Sequence, residues 1–119
     1  MSYERFFCDD DGDGAPALMI SVRADTTRAV LTLAGEIDVA TLPRLHEALA
    51  AVQREGHRTI DVVMGEVNFM SAAALSELER FHRSLLQRGG KLVLLNPQPI
   101  IRRLFAVCGL ETQLNLLDG

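Results

Sequence analysis

Apolar residues recur with a period of two in some segments of this chain and at helical spacing in others, and the two periods alternate from Ala17 onward. That alternation confines the fold to an α/β arrangement, since a strand pattern buries one pleated face and a helix pattern buries one stripe. Leu18, Ile20 and Val22 alternate with Met19, Ser21 and Arg23, and Ala29 to Leu33 reads as a second strand. The turn-like Ala24-Asp25-Thr26-Thr27 between them makes the pair a hairpin. Gly35-Glu36-Ile37-Asp38 then leads to Thr41-Leu42-Pro43, a polar helix start with an early proline. Leu42, Leu45, Leu49 and Val52 follow at helical spacing, and Gly56 stops them.

Thr59 to Met64 returns to a strand pattern, Gly65 to Met70 reads as a loop, and Ser71 to Arg88 reads as a long helix. On that helix Ala74, Leu78, Phe81 and Leu85 share a face. Gly89-Gly90 supplies a left-handed cap, and Lys91 to Leu95 is the continuous apolar run of a central strand. A short helix after Asn96-Pro97 carries Ile100, Leu104 and Val107, and Gln113 to Leu117 makes a weak last strand. The order β-β-α-β-α-β-α-β predicts one α/β domain over residues 17–119, with a mostly parallel sheet, an antiparallel N-terminal edge hairpin and three helices.

Residues 1–16 stand outside this pattern and read as a flexible acidic tail, because the glycine-broken run Asp9-Asp10-Asp11-Gly12-Asp13-Gly14 offers nothing to a core. Asp9, Asp11, Asp13 and Gly14 also match the start of a calcium loop. The bidentate glutamate such a loop needs at its twelfth position is here Ile20, and half a ligand set binds weakly. No metal or other cofactor is therefore expected.

Charge and composition remove further classes. A net charge of −4 denies the chain the positive field on which nucleic-acid affinity rests. No apolar run approaches the roughly 20 residues of a membrane helix, and the N-terminus has no signal-peptide core. Cys8 and Cys108 lie too far apart for a C-x-x-C metal or redox motif. They read as reduced thiols of a cytoplasmic protein, with a redox clip between tail and last helix as the sharper alternative. G-x-S-x-G and H-E-x-x-H are absent, and Gly89-Gly90-Lys91 joins a helix to a strand, the reverse of a phosphate loop. His46, His57 and His82 are scattered, with no obvious carboxylate partner for His46 or His82. No enzyme is legible in these residues.

Three segments carry a resemblance: Gly35-Glu36-Ile37-Asp38, then Val67-Asn68-Phe69-Met70-Ser71-Ala72-Ala73-Ala74-Leu75, then Gly90-Lys91-Leu92-Val93-Leu94-Leu95-Asn96-Pro97. In this order and spacing the chain resembles the STAS domain of bacterial anti-sigma factor antagonists, over roughly Ala17 to Leu116. The resemblance implies the same α/β fold, with a further helix following the last strand in the family. It also implies a partner, an anti-sigma factor that is itself a serine kinase, and a hydroxyl at the start of the long helix that this kinase phosphorylates. The family's loop reads Phe-(Ile/Met)-Asp-Ser-Ser/Thr-Gly-Leu. Here the aspartate position is Ser71, the phosphorylated position is Ala72, the next hydroxyl is Ala73 and the glycine is Ala74. The usual switch is therefore missing.

Ser71 is expected to cap the long helix, and it is also the one residue of the altered loop that could take a phosphate shifted by one position. Ser76 lies on the face of Ala72 a turn deeper, where the dipole fades. Asp38 and Thr41 combine a capping role with the partner contact that the resemblance implies for the Gly-Glu-Ile-Asp turn. Asp38, Thr41, Ser71, Ala72, Ala73 and Ser76 thus form the expected partner-binding set. The function implied is binding an anti-sigma factor so that a sigma factor is released. A STAS subunit of another assembly, such as a lipid-transport complex or a signalling scaffold, is the alternative.

Overall fold

The computed structural model describes residues 3–8, 17–110 and 114–117. In chain order the elements are β1 (Tyr3–Cys8), β2 (Leu18–Ala24), β3 (Arg28–Ile37), α1 (Leu42–Arg54), β4 (Thr59–Met70), α2 (Ala72–Gln87), β5 (Lys91–Leu95), α3 (Pro99–Val107) and β6 (Asn115–Leu117). The strands form one six-stranded sheet in the order of the sequence. β1, β2 and β3 pair antiparallel, and β3 to β6 run parallel.

Each parallel connection passes through one helix and advances one strand in the same direction. Right-handed crossovers then put α1, α2 and α3 on one face of the sheet. The buried residues agree. Leu18, Ile20 and Val22 of β2, Leu31 and Leu33 of β3, and Ile60, Val62 and Met64 of β4 share one cluster with Leu45 and Leu49 of α1, Leu75 and Leu78 of α2, and Ile101 and Phe105 of α3. Each large side chain fully buried there contributes roughly 1.5–3 kcal/mol. Met19 and Arg23, the alternate residues of β2, are exposed on the opposite face.

Local chemistry explains the boundaries. Asp25 Oδ1 accepts from the N–H groups of Thr27 and Arg28, both at 3.0 Å, and closes the β2–β3 turn. These bonds hold its carboxyl below the usual range. Gly35 has φ +120°, and a Cβ at that position would stand 2.1 Å from the carbonyl oxygen of Ala17, so only glycine fits at this register shift of β3 against β4.

Four expectations are corrected. Residues 3–8 are not a tail but the edge strand β1, which pairs antiparallel with β2 in a register running from Tyr3↔Ala24 to Cys8↔Met19. Tyr3 and Phe7 pack against the core, and Arg5 bridges Glu55 at the end of α1 and the Tyr3 hydroxyl, the latter at 3.0 Å. The acidic run Asp9 to Gly14, with its calcium-like spacing, lies outside the described residues. The antiparallel N-terminal part of the sheet consequently has three strands rather than the two of a hairpin. Gly65 to Met70 is no loop, because β4 continues to Met70, with register shifts against β3 between Thr32 and Ala34 and between Gly35 and Glu36. Lastly, α3 turns Ile101 and Phe105 to the core, while Ile100 and Val107 are 63% and 79% exposed.

Candidate functional site

Strands β3, β4 and β5 are parallel, so the segments that leave their carboxyl ends gather on one side of the molecule, where α/β sheets bind ligands. The first segment is the Asp38 turn. Asp38 Oδ1 accepts from the N–H groups of Ala40 at 2.9 Å and Thr41 at 3.0 Å, and the Asp38 N–H donates to Thr41 Oγ1 at 3.0 Å. These reciprocal bonds close the turn that leads into α1, while Thr41, its N-cap residue, makes no side-chain bond to the helix's own N–H groups. The Thr41 hydroxyl also donates to the Glu36 carbonyl at 2.8 Å, and Thr41 is 1% exposed. Thr41 therefore shapes the turn from inside and offers a partner no surface, whereas Asp38 remains half-exposed beside the exposed Val39.

The second segment is the start of α2. Ser71 has extended backbone angles, φ −80° and ψ 163°, and its Oγ accepts from the Ala74 N–H at 3.2 Å. It is an N-cap, as the sequence suggests, and its hydroxyl is engaged in that role. The Ser71 N–H donates to the Ile37 carbonyl at 2.9 Å, which ties the start of α2 directly to the residue before Asp38. Ala72, Ala73 and Ser76 are exposed, while Ala74 and Leu75 turn into the core. The expected set is thus brought to one edge, with Thr41 behind it. At that edge the first N–H groups of α2 and its positive dipole end face outward, ready to feel any negative charge placed there. Phe69, 49% exposed, and Val39, 76% exposed, give the edge an apolar character that sequence reasoning passed over.

The third segment runs from Asn96 to Gln98. Asn96 adopts φ 56°, a conformation asparagine tolerates, and the Gln98 side chain donates to the Gly65 carbonyl at 3.0 Å, fixing the start of α3 against β4.

Other polar residues serve structure. Glu77, 4% exposed on α2, bonds both His46 of α1 and Arg80. His46 therefore does have a carboxylate partner, one that lies 31 residues away in sequence and so left no local signal. Burial pushes the Glu77 carboxyl up, but the bonds from Arg80 and His46 outweigh it and hold the group below the usual range. His82 Nδ1 accepts from the Leu92 N–H at 3.4 Å, and His57 Nε2 lies 3.5 Å from the Tyr3 hydroxyl. Cys108 is an exposed thiol at the end of α3, and the Cys8 side chain lies outside the described residues. No group of three or more metal-ligating side chains occurs among the described residues, and no helix among them is long and apolar enough to cross a membrane.

Comparison with known proteins agrees with this geometry. The STAS domain family matches residues 19–118. An anti-sigma-B factor antagonist from Staphylococcus aureus is 32% identical over 85 residues, 71% of this chain and 79% of that protein. Among solved structures, an anti-sigma factor antagonist from Mycobacterium paratuberculosis superimposes with a TM-score of 0.76 at 23% identity, covering 84% of this chain and 85% of that one. The anti-sigma factor antagonist SpoIIAA in its unphosphorylated form gives 0.74 at 22% identity, covering 84% and 87%. At these identities the structures speak for the fold, and the sequence matches carry the kinship: the chain belongs to the STAS domain family, alongside the anti-sigma factor antagonists.

Proposed function

We propose that this chain is an anti-sigma factor antagonist that works in the cytoplasm without the usual phosphoserine switch. It binds an anti-sigma factor of the serine-kinase type and frees the sigma factor held there. The carrying observation is the edge built by the Ser71–Ile37 bond, which presents the Asp38 turn and the exposed Ala72 and Ala73 as one continuous surface.

The arrangement supports regulation by charge in relatives and its loss here. A phosphate at the start of α2 would sit at the positive end of the helix and be tolerated by the fold. The same phosphate would set about two negative charges against the docked partner. Methyl groups at positions 72 and 73 add no charge to the surface and give a kinase no hydroxyl. Ser71 keeps a hydroxyl, but one already accepting from the Ala74 N–H. On this account the chain is permanently competent to bind or takes its control from an input other than the usual phosphorylated hydroxyl.

Displacement tests the reading directly. The chain is added to a purified complex of sigma factor and serine-kinase anti-sigma factor from the source organism, and the mixture is resolved by size. The account expects free sigma factor and a new complex of this chain with the anti-sigma factor. A sigma complex that survives excess chain, for every such kinase of that organism, would refute it.

A further inference from the structure

The stripe Ile100, Leu104 and Val107 has the i, i+4, i+7 spacing of a helix face made for burial, yet only Leu104, half-buried, reaches the core. Ile100 and Val107 point away from it, and Ile101 and Phe105 do the packing. Opposite the stripe stand Asn68, Phe69 and Met70 at the end of β4, and the two sides enclose a groove of about 340 Å³. Its walls are apolar except for Asn68 and Arg103, and Arg103 is the one charged residue lining it among the described residues. Leaving Phe69, Ile100 and Val107 in water forgoes stabilisation that burial would return, so a patch of this kind marks an interaction surface.

Its position and size indicate what covers it. Phe69 lies two residues before Ser71, and it pairs with Glu36 of β3 in the register that brings Ile37 beside Met70. The groove therefore adjoins the edge formed by the Asp38 turn and the start of α2, and that turn carries a further exposed apolar residue, Val39. The exposed apolar patch consists of three large side chains, Phe69, Ile100 and Val107. A stable dimer interface takes about 800 Å² from each partner, so the patch is too small to hold a second copy alone and is suited to enlarging a neighbouring contact.

We propose that this α3–β4 groove is a second docking contact for the anti-sigma factor, which receives an apolar helix face of that protein carrying a carboxylate opposite Arg103. The proposal rests on the anti-sigma-antagonist reading above and gives it a consequence. The α2 edge carries the site where relatives are switched, and the groove supplies apolar affinity independent of that site. A stripe at i, i+4 and i+7 matches the spacing with which one amphipathic helix lies along another.

The test is titration calorimetry with the purified anti-sigma factor that this chain captures in the displacement assay. Ile100→Ser combined with Val107→Ser should weaken binding about tenfold or more, the loss expected for central apolar contacts. Arg103→Glu should weaken it several-fold, with a larger effect at low salt than at high salt. Leu86→Ser, which removes an exposed leucine of α2 away from the groove, should bind like the parent. All of the altered residues are on the surface, and circular dichroism and melting temperature confirm that each variant folds. A second readout uses Cys108, next to Val107: in a Cys8→Ser background, saturating anti-sigma factor should slow its alkylation.

Parent-like affinity of the double variant, with Cys108 alkylated at an unchanged rate, would overturn the groove while leaving the anti-sigma reading intact. Failure of the parent itself to bind would overturn that reading and the groove with it. Sedimentation showing that the parent alone is a dimer, and that Ile100→Ser with Val107→Ser is a monomer, would assign the groove to a second copy instead and overturn the proposal.

Discussion

At the scale of single residues, the site is governed by side chains that satisfy backbone groups and by side chains that do not. Ser71 caps α2, so Ser71→Ala should lower stability by about 1 kcal/mol in chemical denaturation, since one N–H of the first turn loses its acceptor. A wild-type stability in that variant would show that the cap contributes nothing. Mass spectrometry after incubation with the cognate kinase and ATP should find positions 72 and 73 unmodified, and any phosphate in this loop should sit on Ser71. Glu77 gives a pH prediction. Its folded-state pKa is depressed, so its contribution is full above the ordinary glutamate value of 4.5 and is lost as pH falls through the folded value. Acid titration of stability should therefore fall less steeply for Glu77→Gln than for the parent below that value; parallel curves would contradict it. Among these roles the Ser71 cap was legible in the sequence, because capping is local. The Glu77–His46 bond and the burial of Thr41 were not, because each depends on what the fold brings from elsewhere.

At the scale of elements, strands and helices were legible where a period repeated and obscure where it did not. β2, β5, α1 and α2 follow their hydrophobic spacing closely. β4 outran its apolar pattern because its last residues, Gly65 to Met70, pair with β3 across two register shifts that break strict alternation. β1 was hidden by its neighbour: the acidic run after it dominates the composition of residues 1–16, while Tyr3, Arg5 and Phe7 form too short an alternation to be noticed. The structure gives that strand work to do. Removing residues 1–8 should expose the β2 edge and the part of the core under Tyr3 and Phe7, lowering the melting temperature by several degrees, at about 4–8 °C per kcal/mol for a domain near this size. An unchanged melting temperature in scanning calorimetry would mean that these residues add nothing to the domain. On α3 the visible stripe was real but its direction was not, since a helix with two adjacent apolar faces does not say which one meets the sheet.

For the whole molecule, the fold places the carboxyl ends of three parallel strands, the helix starts that follow them and an apolar groove along a single edge. On the proposed reading such an edge acts by being covered, and a charge placed at the start of α2 would set its state. The central claim is that this surface docks an anti-sigma factor and that Ala72 stands at the position where charge would stop it. Calorimetric titration of the purified anti-sigma factor with the parent chain and with Ala72→Asp tests it most directly. An acid in the first turn of a helix suits the dipole, so the variant should fold and melt like the parent. The account predicts binding by the parent and a loss of about 1–3 kcal/mol for Ala72→Asp, from like-charge contact and desolvation of the new carboxylate. Equal affinities for the two proteins would place the interface elsewhere and contradict the account.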